Sequence, residues 1–123
     1  PVRPRVVLID NDSDRMPRLA AALDDAPDVD LVATAPDAAT MSALLIVLGP
    51  DGPDTVLVAL DPLGADGVQT TARIRSHYPH LRVWAYGYVR AHPLARPAMA
   101  AGASGVLAEP TLLEDLRQAL HAT

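Results

Sequence analysis

The stretch LIDNDSDR places three aspartates at alternate positions, Asp10, Asp12 and Asp14, directly after an apolar run. Carboxylates at this spacing open the calcium-binding loop of an EF-hand. That loop also needs a glycine at its sixth position and a glutamate at its twelfth, where this chain has Arg15 and Ala21. The preceding run has the character of a strand, not of a helix. The pattern therefore excludes an EF-hand and indicates an acidic cluster at the end of a β-strand.

The composition limits the chemistry that such a cluster could perform. The chain has 123 residues, half of them hydrophobic, a net charge of −5, no cysteine and no lysine. Thiolate sites and lysine-dependent mechanisms are therefore excluded. Without a basic run, direct nucleic-acid contact by this segment is not expected. No apolar stretch approaches the ~20 residues of a membrane span, so we expect a cytoplasmic location and no membrane contact.

The elements that must position the acids follow from an alternation of two hydrophobic periods. Short β-branched runs predict strands, and longer segments of helical period predict helices between them. The predicted strands are Arg5–Ile9, Asp30–Thr34, Thr55–Leu60, Arg82–Tyr86 and Gly105–Leu107, and the predicted helices are Asp14–Asp25, Asp37–Leu48, Val68–His77, Pro93–Ala101 and a last one opened by Thr111. This order predicts an α/β fold, a flavodoxin-like (βα)5 domain whose five-stranded parallel sheet has helices on both faces. One domain over residues 1–123 is expected, with residues 1–4 as a loose end.

In open parallel sheets, ligands bind beyond the carboxyl ends of the strands. The stretches at these ends are RVVLIDND, DTVLVALDPLGADG, LRVWAYGYV and AGASGVLAEP, and they include Asp66-Gly67 and the turn Gly102–Gly105. With these stretches the chain resembles a CheY-like receiver domain of two-component response regulators, of the type that precedes a LuxR-type helix-turn-helix. The resemblance extends from Arg5 to Ala119.

The resemblance implies a phosphorylation pocket, and this chain departs from its usual residues. Receivers accept a phosphoryl group on an aspartate that ends the third strand. Two acids hold Mg²⁺, and a hydroxyl residue and a lysine contact the phosphoryl group. At the acceptor, hydroxyl and lysine positions stand Ala59, Gly87 and Glu109, and Asn11 replaces the second acid beside the retained Asp10. The degenerate pocket predicted in this way comprises Asp10, Asn11, Ala59, Asp61, Gly87, Tyr88, Val106 (the aromatic switch position), Glu109 and Pro110.

Two alternatives remain open at this pocket. If the third strand were shifted by two residues, Asp61 could serve as the phosphoacceptor. The cleft could also bind a small molecule, because two of its positions have smaller side chains than usual, unless Tyr88 fills the gap.

Glu109 and Asp10 would repel each other by about 4 kcal/mol at 4 Å and an effective dielectric constant of 20. No cofactor is expected, and Asp10 is only a weak candidate for a metal ligand. Trp84 and Tyr86 share a face of the fourth strand and are interpreted as core residues.

The favoured interpretation is a pseudo-receiver that acts without phosphorylation as a protein-interaction and dimerisation module, and not as an enzyme. The resemblance implies contacts through the fourth helix, the fifth strand and the fifth helix. The residues available on that face are Arg96, Met99, Ala100, Asp115, Arg117 and Gln118. If the natural chain continues, a DNA-binding output domain is the expected attachment, in a transcription regulator of the two-component type.

Overall fold

The computed structural model describes residues 3–61, 66–87, 93–108 and 112–121, apart from the side chains of 112, 113 and 119–121. Five strands form one sheet in the order β2-β1-β3-β4-β5, and every pair is parallel. The strands are β1 (Arg5–Ile9), β2 (Asp30–Ala35), β3 (Thr55–Ala59), β4 (Arg82–Gly87) and β5 (Gly105–Ala108), and the helices are α1 (Arg15–Asp25), α2 (Ala38–Leu48), α3 (Gly67–His77), α4 (Ala95–Ala100) and α5 (Leu112–His121). The predicted α/β, CheY-like fold is confirmed.

The core lies on both faces of the sheet because successive strand side chains point to opposite sides. On one face, Val6 and Leu8 of β1 pack with Leu19 and Leu23 of α1 and with Leu116 of α5. The other face is covered by α2 and α3. Its buried residues are Val7, Ile9, Ala35, Met41, Val56, Val58, Ile74, Leu81 and Val83. The helices therefore enclose an aliphatic sheet and leave the strand ends to carry polar groups.

The helix boundaries follow the local capping residues. Asp37 and Asp66 accept hydrogen bonds from the first backbone N–H groups of α2 and α3, at 2.7 Å and 2.9 Å for the shortest, as expected of N-cap aspartates. Gly102 follows Ala101, the C-cap residue of α4, and has φ +114°, a conformation that favours glycine. The structure gives α4 as Ala95–Ala100, shorter than the predicted Pro93–Ala101. Thr111, predicted to cap the last helix, lies outside the described residues.

The Asp66-Gly67 pair has a clear steric reason. A Cβ atom on Gly67 would lie 2.2 Å from the carbonyl oxygen of Ala59 and 2.7 Å from the Cα atom of Leu60. Only glycine permits α3 to begin this close to the end of β3. The pair thereby fixes the start of α3 against the strand end where the acceptor position lies. Within the described residues, no helix is both long and apolar enough to cross a membrane.

Candidate functional site

Asp10 is the centre of a buried polar cluster at the carboxyl end of β1. Asp10 directly follows the last residue of β1 and is 1% exposed. One carboxylate oxygen, Oδ1, accepts from the backbone N–H of Asp12 at 3.0 Å and from Nη2 of Arg15 at 3.1 Å. The other, Oδ2, accepts from Nε of Arg15 at 2.7 Å and from the hydroxyl of Tyr86 at 2.7 Å. Four donors therefore satisfy a carboxylate that water scarcely reaches.

Arg15 supplies the cation of this cluster. It is the first residue of α1 and is 1% exposed. Its guanidinium binds both oxygens of Asp10, and its Nη1 donates to Oδ1 of Asp61 at 3.0 Å. Bidentate contact with a carboxylate is the geometry for which the planar guanidinium is suited. One side chain thus ties the end of β1 to the segment that follows β3.

Tyr86 completes the cluster from β4. It is fully buried and lies opposite Ala59 in the parallel pairing of β3 and β4. The guanidinium carbon of Arg15 lies 5.6 Å from the centre of its ring, within the range of a cation–π contact. Burial, together with the nearby negative charge of Asp10, raises the pKa of Tyr86 above its ordinary value. The hydroxyl therefore remains a hydrogen-bond donor to Asp10 over the whole physiological pH range.

Arg15, like Tyr86, keeps a single protonation state, and it is always charged. Burial opposes its charged form, but the hydrogen bonds and the negative charge of Asp10 outweigh that effect and raise the pKa of Arg15 above its ordinary value. The guanidinium is a permanent cation in any case. The pocket therefore contains a fixed positive charge that belongs to the chain itself.

The first turn of α1 is capped differently from the sequence-based expectation. With a helix predicted to begin at Asp14, the sequence favours Asp12 and Asp14 as first-turn and N-cap residues of α1. The structure shows that Oδ1 of Asp12 accepts the backbone N–H groups of Asp14 and Arg15, both at 2.9 Å, whereas the Asp14 side chain makes no capping bond. These backbone bonds lower the pKa of Asp12. Asp14 instead pairs with Arg18 at the surface. Asp14 does occupy the N-cap position of α1, but its side chain finds no capping partner there, because the N–H of Met16 donates to the backbone carbonyl of Asp12 and Pro17 has no N–H.

The other residues of the predicted pocket lie at the same edge of the sheet as far as they are described. Ala59 ends β3, and Gly87 ends β4 and is buried. Asn11 is half-buried next to Asp10. Val106 of β5 packs with a small cluster that contains Leu60. Tyr88, Glu109 and Pro110 lie outside the described residues, so the expectations placed on them stay predictions.

Sequence analysis missed the roles of Arg15 and Tyr86. Arg15 was considered only as a departure from the EF-hand pattern, and Tyr86 only as a core residue. A usable signal existed for Arg15, because Arg15, Leu19 and Leu23 recur at intervals of four and all three are buried in α1. An arginine that heads the inward stripe of a helix, one turn from an acid, indicates a buried ion pair.

Comparison with known proteins decides the family. The family model described as the response regulator receiver domain matches residues 6–121. The chain belongs to that family. This receiver domain is similar to a LuxR-family two-component response regulator from Aurantimonas sp. SI85-9A1, with 26% identity over 98% of this chain and 84% of that chain and a TM-score of 0.79. It is similar to the signal receiver domain of NarL from Mycobacterium tuberculosis, with 27% identity, coverages of 99% and 97%, and a TM-score of 0.78.

The fold is shared more widely than the sequence. The response regulator domain of Thermotoga maritima CheB is 21% identical, with 98% of each chain covered and a TM-score of 0.77. No match was found among curated proteins. Receiver domains of response regulators are generally signalling modules and not enzymes.

The Mg²⁺ that the family implies does not fit the residues of this receiver domain. Mg²⁺ needs oxygen ligands in near-ideal octahedral geometry, but both oxygens of Asp10 are bound by Arg15. A divalent cation would have to displace a guanidinium of like charge from the same oxygens. Among the described residues, no three His, Cys, Asp or Glu side chains are grouped to hold a metal ion.

The predicted contact face of this receiver domain is only partly open. On α4, Arg96, Met99 and Ala100 are exposed. On α5, Gln118 is exposed, whereas Arg117 is half-buried and its Nε donates to Oδ1 of Asp28 at 2.8 Å. Arg117 therefore holds α5 to the segment before β2 as well as facing outward. Asp115 is half-buried.

The raised pKa of Tyr86 predicts a particular loss of stability in alkali. A tyrosine in the unfolded chain ionises near pH 10, but Tyr86 in the folded protein does not. Its contribution is complete below that pH and falls as the pH rises above it, by about 1.4 kcal/mol for each pH unit. Urea unfolding at about pH 8 and about pH 11 measures how much free energy of unfolding is lost as the pH rises. This loss should be about 1.4 kcal/mol smaller in Tyr86→Phe than in the wild type.

Tyr78→Phe is the matched control, because the hydroxyl of Tyr78 bonds to Ser42 and lies away from the cluster. This variant leaves Tyr86 in place, so it should lose as much free energy of unfolding in alkali as the wild type does. Equal alkaline losses in the wild type and in Tyr86→Phe would contradict the buried hydrogen bond to Asp10.

Proposed function

We propose that this chain is a phosphorylation-independent pseudo-receiver domain of a cytoplasmic signalling or transcription-regulatory protein. It acts as a protein-interaction and dimerisation module within the two-component type of architecture. The observation that carries this proposal is the guanidinium of Arg15, which occupies the acidic pocket beside Asp10 and Asp61. The pocket thus has its own counter-ion, bound to the acid that the resemblance assigns to the metal ion.

The chemistry of phosphoryl transfer supports the same conclusion. That reaction requires an acceptor oxygen and cations that neutralise the charge of the transferred group. Ala59 ends β3 with a methyl group, and Gly87 ends β4 without a hydroxyl. The only cation in the described part of the pocket, Arg15, already binds two carboxylates.

Phosphorylation at Asp61 is the alternative within the same family. It required β3 to be shifted by two residues. In the structure β3 ends at Ala59, which lies opposite Tyr86, and Asp61 follows the strand with its carboxylate bound to Arg15. A carboxylate held by a guanidinium is a poorer nucleophile than a solvated one, because its negative charge is stabilised. The register and the ion pair both favour the unphosphorylated module.

Incubation with acetyl phosphate and Mg²⁺ is expected to leave the intact mass of the chain unchanged, because Ala59 offers no oxygen to phosphorylate. Intact-mass spectrometry immediately after incubation is the measurement. Asp61→Asn is the matched control for the alternative acceptor. A labile increase of one phosphoryl mass that disappears in Asp61→Asn would establish Asp61 as the acceptor and refute the proposal.

The interaction role rests on the family and on the open part of α4. Receiver domains of response regulators with DNA-binding output domains contact partners and dimerise. For this chain we propose that the α4, β5 and α5 face receives a protein partner or a second copy. Met99, 48% exposed, is a large apolar residue at its centre. We also propose that residues 1–123 act as one domain, to which a DNA-binding output domain attaches in the natural protein.

A small-molecule role is the second candidate. The cavity that supports it is not the predicted cleft, because it includes Asp10 but neither Ala59 nor Gly87, the two positions whose side chains are smaller than usual. This cavity of about 340 Å³ lies between the ends of β1 and β2, next to Asp10. It is lined by Asp10, Asn11, Asp12, Ser13, Met16, Thr34, Ala35 and Pro36. Its volume is at the lower end of the range for ligand sites. Screening metabolites by thermal shift, with Met16→Trp as the variant that fills the cavity, tests this role. A shift that survives Met16→Trp would place the ligand elsewhere.

A further inference from the structure

The outward face of α2 is uncharged and, apart from the hydroxyl of Thr40, apolar. Between Ala38 and Leu48 the sequence has no charged residue. Ile46 and Val47 are 83% and 82% exposed, the two largest exposures among the large hydrophobic residues that the structure describes. At 100° per residue, Ala39, Ala43, Ile46 and Val47 lie on the side of α2 away from the buried Met41. We call these four residues the α2 stripe.

We propose that the α2 stripe is a self-association surface on which the α2 helices of two copies pack antiparallel about a two-fold axis near Ala43. This surface is distinct from the α4, β5 and α5 face proposed above, and the inference does not depend on the absence of phosphorylation.

The shape of the stripe argues for a second copy as the occupant. Its first half has only small side chains, Ala39 and Ala43, and its second half has the large Ile46 and Val47. In an antiparallel pair with the axis at Ala43, Val47 of one copy lies opposite Ala39 of the other. Large side chains then pack over small ones on both sides of the axis, as an isologous contact requires.

The charge distribution argues in the same direction. The chain has a net charge of −5, so two copies repel each other through most of their surfaces. The α2 stripe itself carries no charge. Asp37 at the start of the helix and Asp51 just after its end are acidic, and Arg73 of α3 is a basic neighbour of Asp37 and Ala39. A basic or acidic partner would find no complementary charge on the stripe itself, whereas a second uncharged stripe matches it.

The size of the contact sets the expected affinity. An 11-residue helix is about 16 Å long, so a contact confined to it falls in the range of small interfaces below about 1,200 Å². Such interfaces belong to weak, transient complexes. We expect a dissociation constant of roughly 10 μM to 1 mM. Salt should strengthen the dimer, because it screens the repulsion between two acidic copies.

Sedimentation equilibrium of the whole chain over roughly 10 μM to 1 mM protein tests the proposal. Ile46→Asp and Val47→Asp are each expected to weaken the dimer at least about tenfold, because each buries a charge in an apolar contact. Both positions are exposed, so the thermal unfolding midpoint should stay near that of the wild type. Ala100→Asp, an equivalent change on the exposed side of α4, should alter the affinity less than about twofold.

A charge-reversal variant tests the orientation of the helices. In the antiparallel pair, Asp51 of one copy lies within one turn of Asp37 of the other. Asp51→Arg should therefore tighten the dimer by roughly threefold at low salt, and the gain should vanish at high salt. A parallel pair would place Asp51 near Asp51, so the change would only replace one like-charge repulsion by another and would not tighten the dimer.

Two results would overturn the inference. One is a chain that stays monomeric at all concentrations and salt levels. The other is a dimer that resists Ile46→Asp and Val47→Asp but dissociates with Met99→Asp, which would assign self-association to α4. Neither result touches the proposed independence from phosphorylation, which the acetyl phosphate experiment tests separately.

Discussion

Arg15→Met is expected to lower the free energy of unfolding by about 3–5 kcal/mol. Methionine keeps much of the aliphatic volume of arginine but removes the guanidinium that binds both oxygens of Asp10. The carboxylate of Asp10, whose side chain has no exposed area, would then remain buried without a counter-ion. Removing one partner of a buried ion pair costs far more than the pair itself contributes, because the desolvation of the other charge is no longer offset. Urea unfolding at neutral pH measures the loss.

Two further variants identify the origin of the loss. Arg18→Met removes an arginine one turn along α1 whose side chain is 53% exposed, and it should change stability by less than about 0.5 kcal/mol. The double variant Arg15→Met with Asp10→Asn removes the buried negative charge as well and should recover part of the loss. Additive losses in the double variant would mean that the two side chains do not depend on each other.

Arg15→Ala is expected to convert a domain that ignores Mg²⁺ into one that Mg²⁺ stabilises. Without the guanidinium, the carboxylates of Asp10 and Asp61 face a vacated space with no cation between them. A divalent cation that binds only the folded form adds about 2.7 kcal/mol of stability when its concentration is a hundred times its dissociation constant. Millimolar Mg²⁺ should therefore raise the unfolding midpoint of Arg15→Ala by several degrees and leave that of the wild type unchanged.

The specificity of that response is checked by removing a ligand. The double variant Arg15→Ala with Asp61→Asn retains the space but loses one carboxylate, and its Mg²⁺ response should fall sharply. Ca²⁺, which accepts longer and less regular oxygen contacts, distinguishes a small octahedral site from a loose acidic cluster. A wild type stabilised by Mg²⁺ to the same extent as Arg15→Ala would show that Arg15 is not the resident cation.

The fold could be predicted from the sequence because strands and helices are indicated by hydrophobic patterns within short segments of the chain. Strands and helices were bounded to within about two residues by hydrophobic period, and the parallel sheet followed from their alternation. The main boundary error, at α4, occurred in a short alanine-rich segment where the period carries little signal. The exposed pair Ile46 and Val47 was not anticipated, since a helix that is apolar all round gives no indication of which side faces the sheet.

The carboxylates of the site could be predicted from the sequence, but the arginine that binds them was not predicted. Asp10 and Asp61 follow strands, and the strand ends of a parallel sheet meet at one edge. Arg15 stands at the start of a helix, and its spacing with Leu19 and Leu23 favours an inward direction for the side chain, but that spacing does not identify Asp10 and Asp61 as its partners. Tyr86 occupies a core face, so its ring was interpreted correctly, but the direction of its hydroxyl depends on a partner 76 residues away.

The guanidinium that joins Asp10 to Asp61 also has a consequence for how the domain would be regulated in the cell. A cation carried by the chain is present at a fixed stoichiometry and at an effective concentration that no pool of free Mg²⁺ can match. Under the proposed function, the domain is complete as soon as it folds and has no unmodified, resting form. Its signalling activity then depends on the number of copies present. Regulation would therefore act on transcription, translation and degradation of the protein, and not on phosphorylation and dephosphorylation.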